Sequence, residues 1–450
     1  MRQKIAIVGS GISGLGSAYL LSEHHDVTVF EVDHRPGGHS HTVDVQVDGH
    51  RFGVDTGFLV FNERTYPLLC RLFGHLQTPV VKSEMSFSVE IASPKLEWAG
   101  TNLDTVFAER RNLLSLSFWK MLRDILRFNK NATRDLDNPS IAGKSLGEYL
   151  DINRYGKSFR NDYLLPMAAA IWSCPTEQML AYPFHTFVRF CHNHGLLQIM
   201  NRPTWMTVAG GSQVYVAALI EAIHNRGSEI RLESDIKGIQ RHSDGVTIQT
   251  QNGIECFDQI LLACHSDQAL KLLGNGATEE ERSLLSAIRY QPNRAVLHTD
   301  AQILPSNPKA WAAWNYSSPG NLSHHLGQAP VSVSYLLNRL QPLPTETPVI
   351  VTLNPWHEPE AAKTIRQIHY AHPVFDGPAI TAQAAIKKIS GQNRTYYAGA
   401  WLGYGFHEDG FASAVRAASQ LAPVPDWLLG EQPALNEIPL STLCPVLANS

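Results

Sequence analysis

A glycine-rich turn close to the start of the chain constrains its fold more than any other feature. The apolar run 4–8 is typical of a buried strand, and it leads directly into this turn, residues 9–14 (Gly-Ser-Gly-Ile-Ser-Gly). Helix-forming residues 15–21 come next, and a second apolar strand, 27–30, ends in Glu31. A strand, a glycine turn, a helix, a strand and an acid in this order predict a Rossmann-like unit that binds a dinucleotide. The alternative is a structural glycine turn that holds no ligand.

The parts of this unit have separate physical roles. Gly9 permits the tight turn, Gly11 lets the backbone approach a pyrophosphate, and Gly14 lets the helix lie close to the sheet. The helix N-terminus directs free N–H groups and a positive dipole at the phosphates. A carboxylate at Glu31 accepts hydrogen bonds from ribose hydroxyls and repels a 2′-phosphate, which argues against NADP. The contacts predicted from this unit are Gly9, Ser10, Gly11, Ile12, Ser13, Gly14, Glu31 and Val32.

Two further glycine-bearing stretches follow the acid. Paired glycines stand at 37–38, and another glycine precedes the apolar run 58–61. Exposed backbone at both places suits a ligand that is larger than the near half of NAD. The residues predicted to contact it here are Gly37, Gly38, His39, Asp55, Gly57, Phe58 and Leu59.

The chain returns to this domain twice. A glycine pair at 210–211 precedes a helix and several strands up to residue 264, and a strand at 395–398 leads into a glycine box, 399–410, and a last helix. Backbone N–H groups at the start of that helix again point at a ligand. The contacts predicted from this last box are Gly399, Ala400, Gly410, Phe411 and Ala412.

This layout resembles the FAD-binding part of the flavin amine oxidase and phytoene desaturase superfamily. The resemblance implies FAD as the cofactor, with the backbone near Ile236 against the adenine and the last helix over the flavin. The binding is expected to be noncovalent, since residues 399–410 lack the cysteine that anchors the flavin in some monoamine oxidases.

A narrower resemblance rests on residues outside the cofactor fingerprint. Residues 82–89, 171–175, 191–194 and 403–410 resemble the oxidase-like N-terminal domain of plant cyclopropane fatty acid synthases. They also resemble its bacterial relatives, which are described as predicted NAD/FAD-binding proteins. This resemblance implies a lipid acyl chain as substrate and a cyclopropane-fatty-acid-synthase-like methyltransferase as a partner.

Three positions depart from the amine oxidase pattern. Asp33 and His39 stand where that superfamily usually has arginines, so the adenosine and pyrophosphate contacts must be made differently. Arg294 aligns best with the lysine that holds a water near flavin N5 in many amine oxidases. This last replacement puts amine oxidation itself in question.

We therefore predict an α/β fold in which a Rossmann-like FAD-binding domain of the amine oxidase type is interleaved with an α+β substrate domain. The FAD-binding domain is expected to comprise residues 1–82, 206–275 and 393–421. The substrate domain comprises residues 83–205 and 276–392, and residues 422–450 form a C-terminal tail.

The composition of the chain bears on its partners and on the compartment in which it is expected. A net charge of −4 gives no reason to expect nucleic-acid binding. Six scattered cysteines without a Cys-x-x-Cys pair favour reduced thiols in a cytoplasmic protein, and we predict no metal site. So few residues precede the first strand that we expect no signal peptide, and no apolar run is long enough to span a membrane. Any membrane contact is therefore expected to be peripheral, at the inner membrane face.

One predicted helix, residues 105–130, bears on such a contact. Its basic face carries Lys120, Arg123, Arg127 and Lys130, and its apolar stripe carries Phe118, Leu122, Ile125 and Leu126. A solvated surface helix and a dock for anionic lipid headgroups both fit this pattern.

Three functional hypotheses remain open at this stage. The first is an FAD-dependent oxidoreductase that passes hydride from a C–H bond to the flavin, with a lipid acyl chain as the preferred substrate and Trp172, Tyr404 and His407 near the flavin. His407 is the only one of these three that could move a proton near neutral pH. The second hypothesis is amine oxidation with oxygen as acceptor. The third is a noncatalytic FAD-binding partner of a lipid methyltransferase.

Overall fold

A computed structural model describes residues 2–172, 176–198, 202–320, 331–430 and 432–439. The strands, numbered in chain order, are β1 (Lys4–Val8), β2 (Asp26–Phe30), β3 (Thr42–Val47), β4 (His50–Asp55), β5 (Pro79–Ser83), β6 (Phe87–Ile91), β7 (Leu96–Ala99), β8 (Trp205–Val208), β9 (Glu229–Arg231), β10 (Ile236–Arg241), β11 (Val246–Thr250), β12 (Gly253–Phe257), β13 (Gln259–Leu262), β14 (Tyr290–His298), β15 (Trp314–Ser318), β16 (Ser332–Leu336), β17 (Ile350–Leu353), β18 (Thr364–Pro373), β19 (Thr395–Tyr397) and β20 (Asn436–Glu437). The α-helices are α1 (Ile12–Leu21), α2 (Pro67–His75), α3 (Leu103–Val106), α4 (Leu116–Arg134), α5 (Leu146–Ile152), α6 (Lys157–Phe159), α7 (Leu165–Trp172), α8 (Thr176–Leu180), α9 (Phe184–Asn193), α10 (Gln213–Asn225), α11 (Ser266–Leu273), α12 (Glu279–Ser286), α13 (Leu337–Leu340), α14 (Gly377–Ile389), α15 (His407–Ala418) and α16 (Asp426–Leu429).

A parallel five-stranded sheet forms the centre of the first domain, in the order β19-β13-β1-β2-β9. Strands β19, β13, β1 and β2 are mostly apolar and buried on both faces, as is typical of parallel sheets, whereas the edge strand β9 is partly exposed. Helices α1, α10 and α15 cover one face, while β10, β11, β12 and three further helices cover the other. The carboxyl ends of β1 and β13 therefore meet at one edge, where open α/β sheets bind their ligands.

The segments of this first domain come from three separate stretches of the chain, with β1 and β2 in the first, β9 and β13 in the second and β19 in the third. Two helices that the sequence boundaries assigned to the substrate domain also pack here. Leu285 of α12 and Ile386 of α14 lie in one apolar cluster with Ile260 of β13. The structure thus extends this side of the molecule beyond the predicted boundaries at 275 and 392.

A mixed seven-stranded sheet forms the second domain, in the order β18-β14-β17-β16-β15-β6-β7. Its pairs are antiparallel except β6 and β15, which run parallel. The largest apolar cluster of the described residues joins this sheet to α4, α5, α7 and α9.

The predicted basic helix differs from its expected bounds and packing. It starts at Leu116, because the side chain of Ser115 accepts the N–H of Phe118 as a cap. Phe118 is buried as predicted, but Leu126, which the periodicity places on the apolar stripe, is 57% exposed because none of the described elements covers it. Across the described ranges, no helix is long and apolar enough to cross a membrane.

Candidate functional site

A cavity of about 1180 Å³ lies between the two domains. Its volume exceeds the roughly 300–1,000 Å³ of pockets that hold a single small ligand. One end is lined by the first glycine turn and the carboxyl ends of the parallel strands, and the other end is lined by the seven-stranded sheet. Of the residues predicted as sites, it is lined by Gly9, Ser10, Gly11, Ile12, Ser13, Glu31, Val32, Gly38, His39, Gly57, Phe58, Leu59, Trp172, Ile236, Gly399, Ala400, Tyr404 and His407.

The three glycines of the first turn lie in different surroundings. Gly9 has a positive φ of 101°, and its N–H donates to the carbonyl of Phe30 at 2.8 Å. A Cβ on Gly14 would stand 1.8 Å from the carbonyl oxygen of Gly9, so only glycine fits there. A Cβ on Gly11 would meet no protein atom within 4 Å. The open side of Gly11 therefore faces cavity space, which leaves room for a ligand against the backbone.

Glu31 closes this end of the cavity. Its Oε2 accepts the N–H of Ser10 at 2.8 Å and the hydroxyl of Ser10 at 2.6 Å. Its Oε1 accepts the N–H of Asp33 at 2.9 Å. The side chain is thus held at the carboxyl end of β2, with carboxylate lone pairs left to accept hydrogen bonds from ribose hydroxyls.

Three imidazoles gather where the sequence shows only isolated histidines. The ring of His39 stacks on Tyr370 at 4.7 Å and lies 5.3 Å from His372. Burial lowers the pKa of His39 well below its usual value, and burial also lowers the pKa of His372 to about 4, with the charge of His265 adding to it. The Nε2 of His39 is buried without a hydrogen-bond partner among the described residues. This orphaned polar atom fits a site in which a ligand supplies the missing partner.

His407 begins α15 and lies in a closed setting. Its Nε2 is 2.8 Å from the Oγ of Ser40 and 3.1 Å from the hydroxyl of Tyr215, and its ring stacks on Phe58 at 3.9 Å. Burial lowers the pKa of His407 to about 3. The expectation that His407 titrates near neutral pH is therefore wrong, because the buried ring stays neutral there.

Trp172 and Tyr404 are brought together across a sequence separation of 232 residues. The indole N–H of Trp172 donates to the backbone carbonyl of Tyr404 at 3.3 Å. The ring of Phe190 lies 4.6 Å from Trp172 and 5.7 Å from Tyr404, so the three side chains form one aromatic corner of the cavity.

The far end of the cavity is apolar and aromatic. Its wall is made of side chains from the seven-stranded sheet, from α7 and α9 and from the segments beside them. These are Met85, Phe87, Trp98, Tyr163, Met167, Ile171, Phe190, Trp205, Trp314, Tyr335 and Leu353.

Six predicted contacts lie away from the cavity wall: Gly14, Gly37, Asp55, Gly410, Phe411 and Ala412. Asp55 is buried and accepts hydrogen bonds from Thr42, from the backbone and hydroxyl of Ser212, and from Gln341. Phe411 is fully buried, and its ring would clash with any Cβ on Gly16, so it packs α15 against α1. Asp55 and Phe411 therefore stabilise the structure around the cavity.

Arg294, aligned with the flavin-site lysine of amine oxidases, also lies outside the cavity wall. Its guanidinium pairs with the carboxylate of Glu358. On the neighbouring strand β18, Tyr370 and His372 line the cavity instead.

The sequence reading missed His265, Tyr370 and His372 as cavity residues. His265 follows the end of β13 by three positions, so the rule that ligands bind at the carboxyl ends of parallel strands could have found it. Tyr370 and His372 alternate along β18, a period that indicates a shared face but not which face meets a ligand.

Comparison with known proteins decides the family. The sequence pattern of the flavin-containing amine oxidoreductases matches residues 12–422. The chain belongs to this family. It is thus a flavin-containing oxidoreductase, and FAD is its cofactor. The open side of Gly11, the unpartnered Nε2 of His39 and the size of the cavity all fit FAD.

The match to one curated relative is distant in sequence. This amine oxidoreductase is 26% identical over 262 residues to the putative flavin-containing monoamine oxidase AofH of Mycobacterium tuberculosis, covering 55% of this chain and 54% of that protein. The match therefore spans about half the length of that curated relative.

Among solved structures, a putative protoporphyrinogen oxidase from Exiguobacterium sp. 255-15 matches with a TM-score of 0.64 and 19% identity, over 94% of this chain and 99% of that one. A CLA-producing fatty acid isomerase from P. acnes matches with a TM-score of 0.64 and 15% identity, over the same shares. At such identities, these two structures establish the fold.

Proposed function

We propose that this oxidoreductase acts on a C–H bond of a lipid acyl chain, as a desaturase-like or oxidase-like enzyme of cyclopropane or methylated fatty acid metabolism. The observation that carries the proposal is the chemistry of the far cavity wall. Among the described residues that line the cavity, the acids are Glu31 and Asp235, and both belong to the nucleotide end. The aromatic end offers apolar surface and two cations, Arg202 and Lys82, of which Lys82 also pairs with Glu437 at 3.2 Å. Such a site suits an apolar chain with an acidic headgroup.

The nucleotide end would hold FAD through the residues that line it. The turn from Gly9 to Ser13 and the N-terminus of α1 would meet the pyrophosphate, Glu31 the ribose, and the backbone near Ile236 the adenine. When bound, FAD supplies the acceptor for a hydride from the substrate. This chain contributes binding, orientation and the exclusion of water.

The aromatic corner of Trp172, Phe190 and Tyr404 would orient the substrate. An acyl chain has no polar groups along its length, so only shape and apolar contact can place one methylene at the reacting position. Burial raises the pKa of the Tyr404 phenol above its usual value, so this hydroxyl stays protonated at neutral pH. Tyr404 can therefore donate a hydrogen bond, but it does not serve as a base there.

Amine oxidation is the second candidate, because aromatic faces such as those of Trp172 and Tyr404 attract ammonium groups. The name of the Mycobacterium relative fits this candidate. The aromatic end, however, has no acid among its described lining residues to pair with an ammonium group, and it does have cations.

Anaerobic mixing of the FAD-loaded protein with acyl lipids and with amines tests the proposal. We expect acyl lipids to bleach the visible flavin absorbance and amines to leave it unchanged. Bleaching by amines alone would establish the second candidate, and no bleaching by either class would favour a noncatalytic FAD-binding partner of a lipid methyltransferase.

A pair of variants tests whether the substrate binds at the aromatic end of the cavity. Met85→Trp fills space there and should slow bleaching by long chains more than by short ones. Met85→Leu, of similar volume, is the matched control and should leave the chain-length preference unchanged.

A further inference from the structure

An exposed apolar surface lies on the outside of the second domain, between α3 and the start of α4. Most large apolar side chains of a folded protein are covered, and contiguous exposed ones mark a contact site. Leu114 is 90% exposed and Leu116 78%, and they stand on either side of Ser115 in the chain. We call this the leucine surface, and its members are Leu103, Leu113, Leu114, Leu116 and Trp119.

Contacts connect the segments that carry the leucine surface. The indole N–H of Trp119 donates to the carbonyl of Leu113 at 2.9 Å. The Trp119 ring also lies 5.3 Å from the ring of Phe107, which is buried. The N–H of Phe107 in turn donates to the carbonyl of Leu103 at 3.2 Å. These contacts hold α3, the following turn and the start of α4 together, and each of the three exposes apolar side chains.

Positive charge surrounds this patch although the chain as a whole is acidic. Residues 103–134 contain seven Lys or Arg and three Asp or Glu, a net of +4 in a chain whose net charge is −4. The outward side of α4 exposes Lys120, Arg123 and Lys130 beside Trp119 and Leu126.

The nearby acids offset part of this charge. Asp104 pairs with Arg110 and Lys309, Glu109 with Arg111, buried Asp124 with Arg123 and Arg127, and Asp135 with Arg134. Within the described residues, Lys120 and Lys130 make no ion pair, and Arg123 is exposed although it pairs with Asp124. Basic and apolar residues on the same outward side, with a tryptophan at their boundary, are typical of segments that lie in a membrane interface.

The leucine surface is also joined to the cavity wall. Trp98 and Gly100 line the aromatic end of the cavity, and Leu103 follows after only two residues. The hydroxyl of Thr105 donates to the carbonyl of Ala99 at 3.0 Å, and the amide of Asn112 donates to the carbonyl of Glu97 at 3.1 Å. Both hydrogen bonds attach the exposed segment to β7. Strand β7 therefore lies between the cavity, which Trp98 lines, and the segment that carries the leucine surface.

We propose that the leucine surface docks on a bilayer that contains anionic phospholipids. The five apolar side chains enter the boundary between headgroups and acyl chains, while Lys120, Arg123 and Lys130 contact the phosphates. This places the aromatic end of the cavity, through β7, next to the lipid phase. Docking goes beyond the proposed reaction, because it requires no turnover and either one can fail without the other.

Co-sedimentation of the FAD-loaded protein with sucrose-filled vesicles tests the docking. We expect binding to vesicles of phosphatidylcholine with about one quarter phosphatidylglycerol, and roughly ten-fold weaker binding to phosphatidylcholine alone. Leu114→Ser/Leu116→Ser should weaken the binding by about ten-fold or more, since both side chains are exposed and their replacement costs the fold little. Lys120→Glu/Lys130→Glu should have a similar effect that shrinks at high salt.

Matched controls lie elsewhere on the surface. Ile254→Ser/Leu429→Ser removes two side chains that are each 69% exposed, and Lys4→Glu/Lys388→Glu makes the same charge change on the FAD-binding side. Both controls should bind vesicles like the wild type. Tryptophan emission should also shift to the blue on anionic vesicles, and the shift should be smaller in Trp119→Phe.

Two outcomes would overturn the proposal. One is equal loss of binding in the control variants and in the leucine-surface variants. The other is a dimer in solution that Leu114→Ser/Leu116→Ser dissociates, with no binding to vesicles, because a second copy of the chain would then be the occupant of this surface.

Discussion

The Nε2 atom of His407 lies 2.8 Å from the Oγ atom of Ser40, across a sequence separation of 367 residues. This hydrogen bond joins the C-terminal glycine box, residues 399–410, to the segment that follows the paired glycines at 37–38. Both residues belong to segments that border the cavity, so the bond holds together the two sides of the proposed FAD site. Because the imidazole is neutral when folded, protonating it works against the native state.

His407 should therefore make stability depend on pH on the acid side. The pKa of His407 is about 3 in the folded chain, whereas the ordinary value of a histidine is 6.5. The stability that neutral His407 contributes is therefore complete above pH 6.5 and is lost as the pH falls toward 3. We expect the stability difference between wild type and His407→Gln to shrink by about 2–3 kcal/mol on going from about pH 7.5 to about pH 4.5. Urea unfolding of both proteins at the two pH values measures this difference. An unchanged gap would contradict the neutral, buried assignment.

Gly11 and Gly14 should fail in different ways. Gly11→Ala adds a Cβ that meets no protein atom, so the protein should fold but lose most of its FAD. Gly14→Ala places a Cβ 1.8 Å from the carbonyl oxygen of Gly9, so it should lower the folding yield and the melting temperature. Far-UV circular dichroism and the flavin absorbance of the purified variants separate the two effects. Full FAD content in a folded Gly11→Ala protein would refute the cavity assignment.

Asp55 should be a structural residue. Its carboxylate accepts hydrogen bonds from donors on Thr42, Ser212 and Gln341, and an amide would turn an N–H group toward one of those donors. We expect Asp55→Asn to cost about 2–4 kcal/mol of stability and to leave the FAD affinity of the folded protein unchanged. Thermal unfolding and an FAD titration give the two numbers. The control is Asp44→Asn, at an exposed position, which should change neither the stability nor the FAD affinity.

Glu90 should destabilise the protein as the pH rises. Burial, a hydrogen bond with Glu97 and the charge of Glu97 raise the pKa of Glu90 to about 7. The stability that protonated Glu90 contributes to the folded protein is complete below about pH 4.5 and is lost as the pH rises through 7. On going from about pH 5 to about pH 8, the free energy of unfolding of Glu90→Gln should therefore rise by about 1–3 kcal/mol relative to that of the wild type. Unfolding measurements at both pH values, with exposed Glu346→Gln as a flat control, check this gain.

Much of the nucleotide end could be predicted because its chemistry is local. The roles of Gly9, Gly11 and Gly14 depend on backbone geometry within six consecutive residues. A turn that only glycine can form, next to a strand and a helix, leaves few other structures. The same locality explains why β1, α1 and β2 were placed within a few residues of their observed bounds.

The opposite end of the cavity could not be predicted in this way. Side-chain periods show which residues share a face, but not what covers that face. Leu126 has the spacing of a core residue and is exposed, because within the described ranges nothing packs over it. His407 has the side chain of a proton carrier, yet its burial keeps it neutral.

The amino-acid sequence alone determined the glycine turns and the acid that receive the dinucleotide, because those depend on neighbouring residues. Only the tertiary structure decided that His39 stacks on Tyr370, that Trp172 meets Tyr404, and that an apolar surface is left facing water. These relationships join residues from distant parts of the chain. Their presence depends on how two sheets and their helices pack, which no local pattern specifies.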